Sequence, residues 1–245
     1  MLDKGTADAF RIYHSNIRSI IKNVDELKIV LNNTGIEFDI IALTETWRLV
    51  DTTLLNIPNY DLIYNNGTVN QNDGVVIYIK SGLNYDYQIK DFDNIKVISL
   101  KVKYKNTIIH VTTIYRSPST CPQQFNDKLY NYLKTISTEA TEVKVIMGDI
   151  NIDIMDSNEI SQEYLNIMAE WGYTSAINNY TRVQGNSKSC IDHLFFNIQN
   201  MPNISMIPMI LKTCISDHFS VVLQVDFPSE KEQNTFNQDK KYTFS

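Results

Sequence analysis

Several apolar runs in this sequence end on a residue able to bind a cation or move a proton. Asn16 follows Phe10–Ser15, Glu45 follows Ile40–Thr44, Tyr115 closes Thr107–Ile114, and Asp149 and Asn151 follow Lys144–Met147. Further on come Ser-Cys-Ile-Asp192-His193 and Ile-Ser-Asp217-His218, the latter just before another apolar run. Strand ends are where sites collect. Carboxylates, amides, one Tyr and one His form a set suited to holding a hard divalent cation through oxygen and to attacking phosphorus with water. Singly, each has an ordinary explanation: Asn as a turn former, a carboxylate as a helix cap, Tyr as core, a lone His as a packed ring. His14, His110 and His193 are given that ordinary reading, so the ordered set carries the weight.

The elements that must position these residues are legible from periodicity. Alternation in Lys96–Tyr104 puts Ile98, Leu100, Val102 and Tyr104 on one face and Lys101 and Lys103 on the other, which predicts a half-exposed strand. Lys105-Asn106 and Asn72-Asp73-Gly74 are turn signals, so the middle of the chain reads as antiparallel hairpins. Helical spacing appears in Val24–Leu31, in Phe125–Ile136 with Pro122 at its first turn, and in Glu159–Trp171 with Gly172 as its stop. Further strands are expected at Phe10–Ser15, Asp39–Thr44, Val75–Ile79, Lys144–Met147, Ile191–Phe196 and Ser220–Val225. This mixed order predicts an α/β fold with a sheet-on-sheet core flanked by helices, not a βαβ repeat.

The composition is that of a foldable globule: 245 residues, 43% hydrophobic and 20% charged, with 8 Gly and 6 Pro. We divide it into an N-terminal extension (1–9), one domain (10–227) and a polar, aperiodic tail (228–245). No apolar run approaches the roughly 20 residues that span a bilayer, so no membrane association is expected. Three cysteines without CxxC spacing suggest reduced thiols in an intracellular protein. A net charge of −6 opposes binding nucleic acid through a broad basic surface, unless acids gathered in one cleft are neutralised by a cation.

The series SNIRS (15–19), LTETW (43–47), IYRSP (114–118), MGDIN (147–151), SCIDHLF (189–195) and ISDHF (215–219) resembles the ordered motifs of the endonuclease/exonuclease/phosphatase superfamily. IDHLF together with YTR (180–182) resembles the endonuclease domains of LINE-type, non-LTR retrotransposons. The resemblance implies a DNase I-like four-layer α/β sandwich of two packed mixed sheets flanked by helices. It also implies a Mg²⁺-dependent nuclease, with Mn²⁺ as a substitute, that nicks double-stranded DNA and works in the nucleus. Glu45 would hold the metal with help from Asp217, and Asn16 would steady the metal or the phosphate. Asp149 would orient or deprotonate water, with Asn151 on a phosphate oxygen. His218, kept in its tautomer by Asp192, would stabilise charge on the phosphorane, while Tyr115 donates to the phosphate or leaving group. Thr181, with Arg182 beside it, falls where retrotransposon enzymes contact DNA. Repair-type relatives carry a second acid two residues after the Asn; here that position is Arg18, which cannot bind metal and is assigned with Arg116 to phosphate contact.

Between Asp192 and Asp217, Asn197–Ile207 reads as a hairpin projecting beside the site; the resemblance implies that such a hairpin probes the minor groove, where Gln199 and Asn200 would read it. Two alternatives stand beside the nicking endonuclease. One is another phosphodiesterase of the superfamily, such as an abasic-site nuclease or a phosphoinositide phosphatase. The other is an inactive nuclease-derived binding module. A retrotransposon reading frame continues into a reverse transcriptase, so a chain ending soon after the last motif is expected to be a fragment or a domesticated gene.

Overall fold

Strands whose two faces are both apolar must be covered on both sides, and that requirement sets the architecture. The computed structural model describes residues 9–66, 71–92, 94–136, 142–198, 201 and 203–228. In chain order its elements are β1 (Ala9–Asn16), α1 (Ile20–Thr34), β2 (Ile40–Thr44), β3 (Tyr60–Asn66), β4 (Gly74–Lys80), β5 (Asn84–Asp91), β6 (Ile95–Tyr104), β7 (Thr107–Arg116), α2 (Pro122–Ile136), β8 (Glu142–Asp149) and α3 (Glu159–Glu170). There follow β9 (Thr174–Ser175), β10 (Arg182–Gln184), β11 (Ser187–Ser189), β12 (Asp192–Asn197), β13 (Ser205–Leu211) and β14 (Ser220–Asp226).

Two six-stranded mixed sheets result, ordered β13-β14-β1-β2-β4-β3 and β5-β6-β7-β8-β12-β9, and β10 with β11 forms a separate hairpin. Alternate residues of each strand supply different layers. Ile40 and Ala42 face the second sheet, meeting Leu100, Val111, Val145 and Leu194 in the central core. Ile41 and Leu43 point the other way, onto Ile20, Val24 and Leu27 of α1. On the far side Val97, Ile114, Ile146 and Phe195 pack against Phe125, Leu129 and Leu133 of α2 and Tyr164 and Met168 of α3. This is the expected four-layer α/β sandwich.

Local signals explain the helix ends. Pro122 opens α2. The Asn158 side chain caps α3 by accepting from the Ser161 N–H at 2.9 Å, and Gly172 follows with φ 74°. All three cysteines are free thiols.

Two expectations need correction. β6 is half-exposed only in its second half: Lys101 and Lys103 are exposed, but Ile95 and Val97 on the same face are buried, because the first half of the strand runs beneath the α2 layer. Asn197–Ile207 is not a hairpin, since β12 belongs to one sheet and β13 to the other. Asp192 pairs with Asp149 while Asn197 pairs with Lys144 at the opposite end of β8, so this connection leaves from the end of the sandwich remote from Asp192. Ser205 likewise pairs with Asp226, at the same far end. Gln199 and Asn200 themselves lie outside the described residues, as do residues 1–8 and 229–245.

Candidate active site

Register brings the residues together. Asn16 pairs with Thr44, just before Glu45, in the parallel β1–β2 ladder. Thr44 pairs in turn with Val75, which sets Asp73 beside Glu45. In the second sheet Asp149 pairs with Asp192, and Tyr115 is the last residue but one of β7, at the same edge. Among the described residues, five of the seven non-glycine positions with positive φ lie here: Arg18, Ser19, Glu45, Trp47 and Asn151. Left-handed backbone at such residues costs about 1–3 kcal/mol each, and its concentration at strand ends marks a functional edge.

Asp149 is fully buried at the centre. Its approach depends on Gly148, where a Cβ would stand 1.8 Å from the Ile114 carbonyl oxygen, so no other residue fits between β7 and β8. Asn16 Nδ2 reaches across from the first sheet to donate to Asp149 Oδ2 at 2.8 Å. The Asn151 N–H donates to Asp149 Oδ1 at 3.1 Å, and Asn151 Nδ2 anchors on the Arg116 carbonyl at 2.9 Å. Burial, then the neighbouring Asp192 charge, raises the Asp149 pKa, and Glu45 adds to the rise; His218 and the Asn16 bond oppose it.

Asp192 Oδ2 lies 2.8 Å from His218 Nδ1, with both side chains buried. Burial alone would favour the neutral ring, but Asp192, Asp149 and Asp217 outweigh it and raise the imidazole to about 9. His218 is therefore an imidazolium at neutral pH, with Nδ1 on Asp192 and Nε2 turned to the other side of the ring. Ser216 braces the loop: its hydroxyl donates to the Asn16 carbonyl at 2.8 Å and accepts from the His218 N–H at 3.1 Å.

Glu45 is half-buried. Tyr115 is 2% exposed, and burial, followed by the charges of Glu45, Asp149 and Asp73, drives its hydroxyl pKa well up, so it remains a proton donor. Asp73 was read from sequence only as part of a turn, yet it is a fully buried carboxylate pushed up to about 6 by burial and by Glu45, against the pull of Lys96. Pairing the strand after Asp73 with the strand before Glu45 is the signal that finds it. The β10–β11 hairpin, turning at Gly185 with φ 59°, was also missed because each strand is only three residues long.

Other expected residues have different jobs. Arg116 is 2% exposed, and its guanidinium donates to the carbonyls of Ile150, Asn151 and Thr120, so it is an internal brace and not a phosphate contact. Thr181 is fully buried, away from any DNA surface; its Oγ1 accepts from the N–H groups of Ile191 at 3.1 Å and Asp192 at 2.9 Å, which positions Asp192. Asn16 places its nitrogen on Asp149 and its oxygen on the Arg18 N–H. Asp217 is paired with two guanidiniums, Arg18 Nη1 and Arg182 Nε, each at 2.9 Å.

The donor set fits a hard cation. Glu45, Asp73, Asp149 and Asp192 lie at one edge, the Glu45 charge adds to the rise at Asp73 and the Asp192 and Glu45 charges to that at Asp149, and Asp192 Oδ1 is buried without a hydrogen bond. Asp149, Asp192 and His218 offer ligand atoms within 4.8 Å of one another. Glu45, half-buried at the same edge, is a further oxygen donor within the reach of solvent.

A family model described as the Endonuclease/Exonuclease/phosphatase family matches residues 4–218. No curated protein sequence matches the chain. Among solved structures, the fold is similar to an AP endonuclease from Leishmania major (TM-score 0.73, 13% identity, covering 90% of this chain and 89% of that one). It is similar also to the endonuclease domain of TRAS1, a telomere-specific non-LTR retrotransposon (0.72, 12%, 90% and 100%). The human Nocturnin catalytic domain aligns with a TM-score of 0.66 at 17% identity over 90% and 94% of the two chains.

Proposed function

Given that the chain belongs to the endonuclease/exonuclease/phosphatase family, we propose that it is a divalent-cation-dependent phosphodiesterase that nicks double-stranded DNA, of the non-LTR retrotransposon type. The observation that carries this reading is the joint held by Asn16, Asp149, Asp192 and His218: a buried carboxylate oriented from both sheets beside an imidazolium oriented by a second carboxylate.

In this reading Asp149 positions and deprotonates the attacking water, and the raised pKa of its carboxyl suits a proton acceptor. The Asn151 backbone holds the other Asp149 oxygen. His218 Nε2 donates to the phosphorane oxygen, and Asp192 maintains its charge. Tyr115 supplies a further proton donor near Glu45. Glu45 would hold the divalent cation, Mg²⁺ or Mn²⁺, which when bound would supply Lewis-acid polarisation of the phosphate. Arg18 and Arg182, partly exposed beside Asp217, are cationic groups that can meet an incoming phosphate. A DNA substrate would place the enzyme's work in the nucleus.

The retrotransposon assignment is supported by YTR and IDHLF in the sequence and by the alignment along the whole TRAS1 endonuclease domain. A substrate panel with Mg²⁺ or Mn²⁺ tests it: supercoiled plasmid, an abasic-site duplex, and soluble inositol phosphates. Conversion of plasmid to open circles is expected, without a large preference for the abasic duplex. Turnover of inositol phosphates with plasmid left untouched would replace this reading by a phosphatase. Binding of DNA without turnover of any substrate would make the chain a binding module.

A further inference from the structure

A second cluster of chemistry-bearing side chains lies on the outer face of the β5–β9 sheet, beyond the end of α2. Alternation puts Ser99 and Lys101 on the face of β6 that also carries Val97, and the ladder sets Ser99 opposite Thr112 and Lys101 opposite His110 of β7. Glu142 opens β8, at the other end of that strand from Asp149. Ser99 Oγ and His110 Nε2 are 2.6 Å apart. Across the ring, His110 Nδ1 faces Glu142 Oε2 at 3.7 Å, an oxygen buried without a hydrogen bond, while Glu142 Oε1 accepts from Lys101 Nζ at 2.8 Å. His110 and Glu142 are both buried. A cavity of about 340 Å³ opens over Ser99 and His110, and Gln88, Lys90 and Lys101 line it as well.

We propose that Ser99, His110 and Glu142 form a second site, in which Ser99 is the nucleophile in the hydrolysis of small carboxylic esters. A hydroxyl becomes a nucleophile when a base stands within hydrogen-bond reach and a third group orients that base, and here the order is hydroxyl, imidazole, carboxylate. The Ser99–His110 contact is already short. The Glu142 side is longer than a hydrogen bond and closes as the ring takes up a proton, because the pair then carries opposite charges out of water. Ser99 Oγ bonds to the ester carbon while its proton passes to His110 Nε2, and His110 returns that proton to the alcohol oxygen as the C–O bond breaks. Water then gives a proton to His110, attacks the acyl group on Ser99 and releases the carboxylic acid, which restores the hydroxyl. Gln88 lies directly across the ladder from Ser99, so its amide and the Lys101 ammonium are the donors for the negative carbonyl oxygen. The cavity is at the small end of ligand pockets, roughly 300–1,000 Å³, which fits a short acyl group. This chemistry needs no cation and does not rest on the phosphodiesterase reading.

The test is reaction with p-nitrophenyl acetate in EDTA, following nitrophenol release and locating the acetyl group by peptide mass spectrometry after an acid quench. Wild type should carry acetyl on Ser99 and keep releasing nitrophenol. Ser99→Ala should lose that adduct, and His110→Gln should release nitrophenol on the order of 100-fold more slowly, the scale of a lost general base. Should His110→Gln lose its native circular dichroism spectrum, the Ser99 adduct on wild type and the rate of Ser99→Ala, which lacks a single oxygen, decide the matter. Plasmid nicking by Ser99→Ala should equal that of wild type. Acetyl on lysines alone, or nitrophenol release unchanged in Ser99→Ala or in a folded His110→Gln, would overturn the inference and leave the nuclease reading as it stands.

Discussion

Asn16 Nδ2 donates to Asp149 Oδ2 at 2.8 Å, and this bond joins the edge of one sheet to the edge of the other. The central carboxylate therefore keeps its orientation only while the two sheets keep their relative position. Replacing Asn16 with Ala should lower phosphodiester hydrolysis on the order of 10- to 100-fold, the scale found when an outer partner of a reacting group is lost. Asn16→Asp should do no better, because it sets a like charge against Asp149. Plasmid nicking rates alongside melting curves check this; rates within twofold of wild type for both variants would deny Asn16 its orienting role.

Thr181 accepts two backbone N–H groups inside the core, one from Asp192 itself. Thr181→Val keeps the shape and removes the acceptor, so it should destabilise the fold by about 2 kcal/mol through unsatisfied buried donors. It should also weaken catalysis by loosening Asp192. Urea denaturation measures the first effect. A Thr181→Ser variant, retaining the hydroxyl, should recover most of both.

His218 gives the molecule a pH signature. Its folded pKa, near 9, lies above the unfolded value of about 6.5. Stability from the Asp192 contact is therefore complete below the unfolded value and is lost as pH rises through about 9. Urea midpoints in EDTA should fall between these limits for wild type more than for His218→Gln. An equal fall in both proteins would mean that His218 is not charged in the folded state. His218→Ala should also cost about 100-fold or more in rate.

The extent to which the site was readable varied with how local its cause is. Asn16, Glu45, Asp149 and His218 end or precede strands recognisable from their own periodicity, so their positions at one edge followed from sequence. Asp73 was hidden because its place depends on the long-range pairing of Thr44 with Val75. Arg116 and Thr181 carry side chains that suit DNA, and only burial shows them turned inward. The stretch around Gln199 looked like a hairpin because strand signals flank it, and nothing local reveals that the strands belong to different sheets.

The charges nearest the Glu45 carboxylate include those of two other acids, Asp73 and Asp149. Glu45→Gln should raise the Mg²⁺ concentration needed for half-maximal rate, since a charged ligand oxygen becomes neutral. Ca²⁺ is expected to bind yet support little turnover, its larger coordination shell placing water poorly. An unchanged Mg²⁺ titration in the variant would put the cation elsewhere.

The account stands most directly on Asp149 acting as the base in a cation-dependent strand cleavage. Nicking of supercoiled plasmid should be followed for wild type with Mg²⁺, wild type with EDTA, and Asp149→Asn with Mg²⁺. The substitution keeps size and hydrogen bonding and removes only the charge that polarises water. Open circles should accumulate in the first reaction alone, with the variant showing an unaltered circular dichroism spectrum. Nicking by Asp149→Asn within tenfold of wild type, or equal nicking in EDTA, would contradict the account.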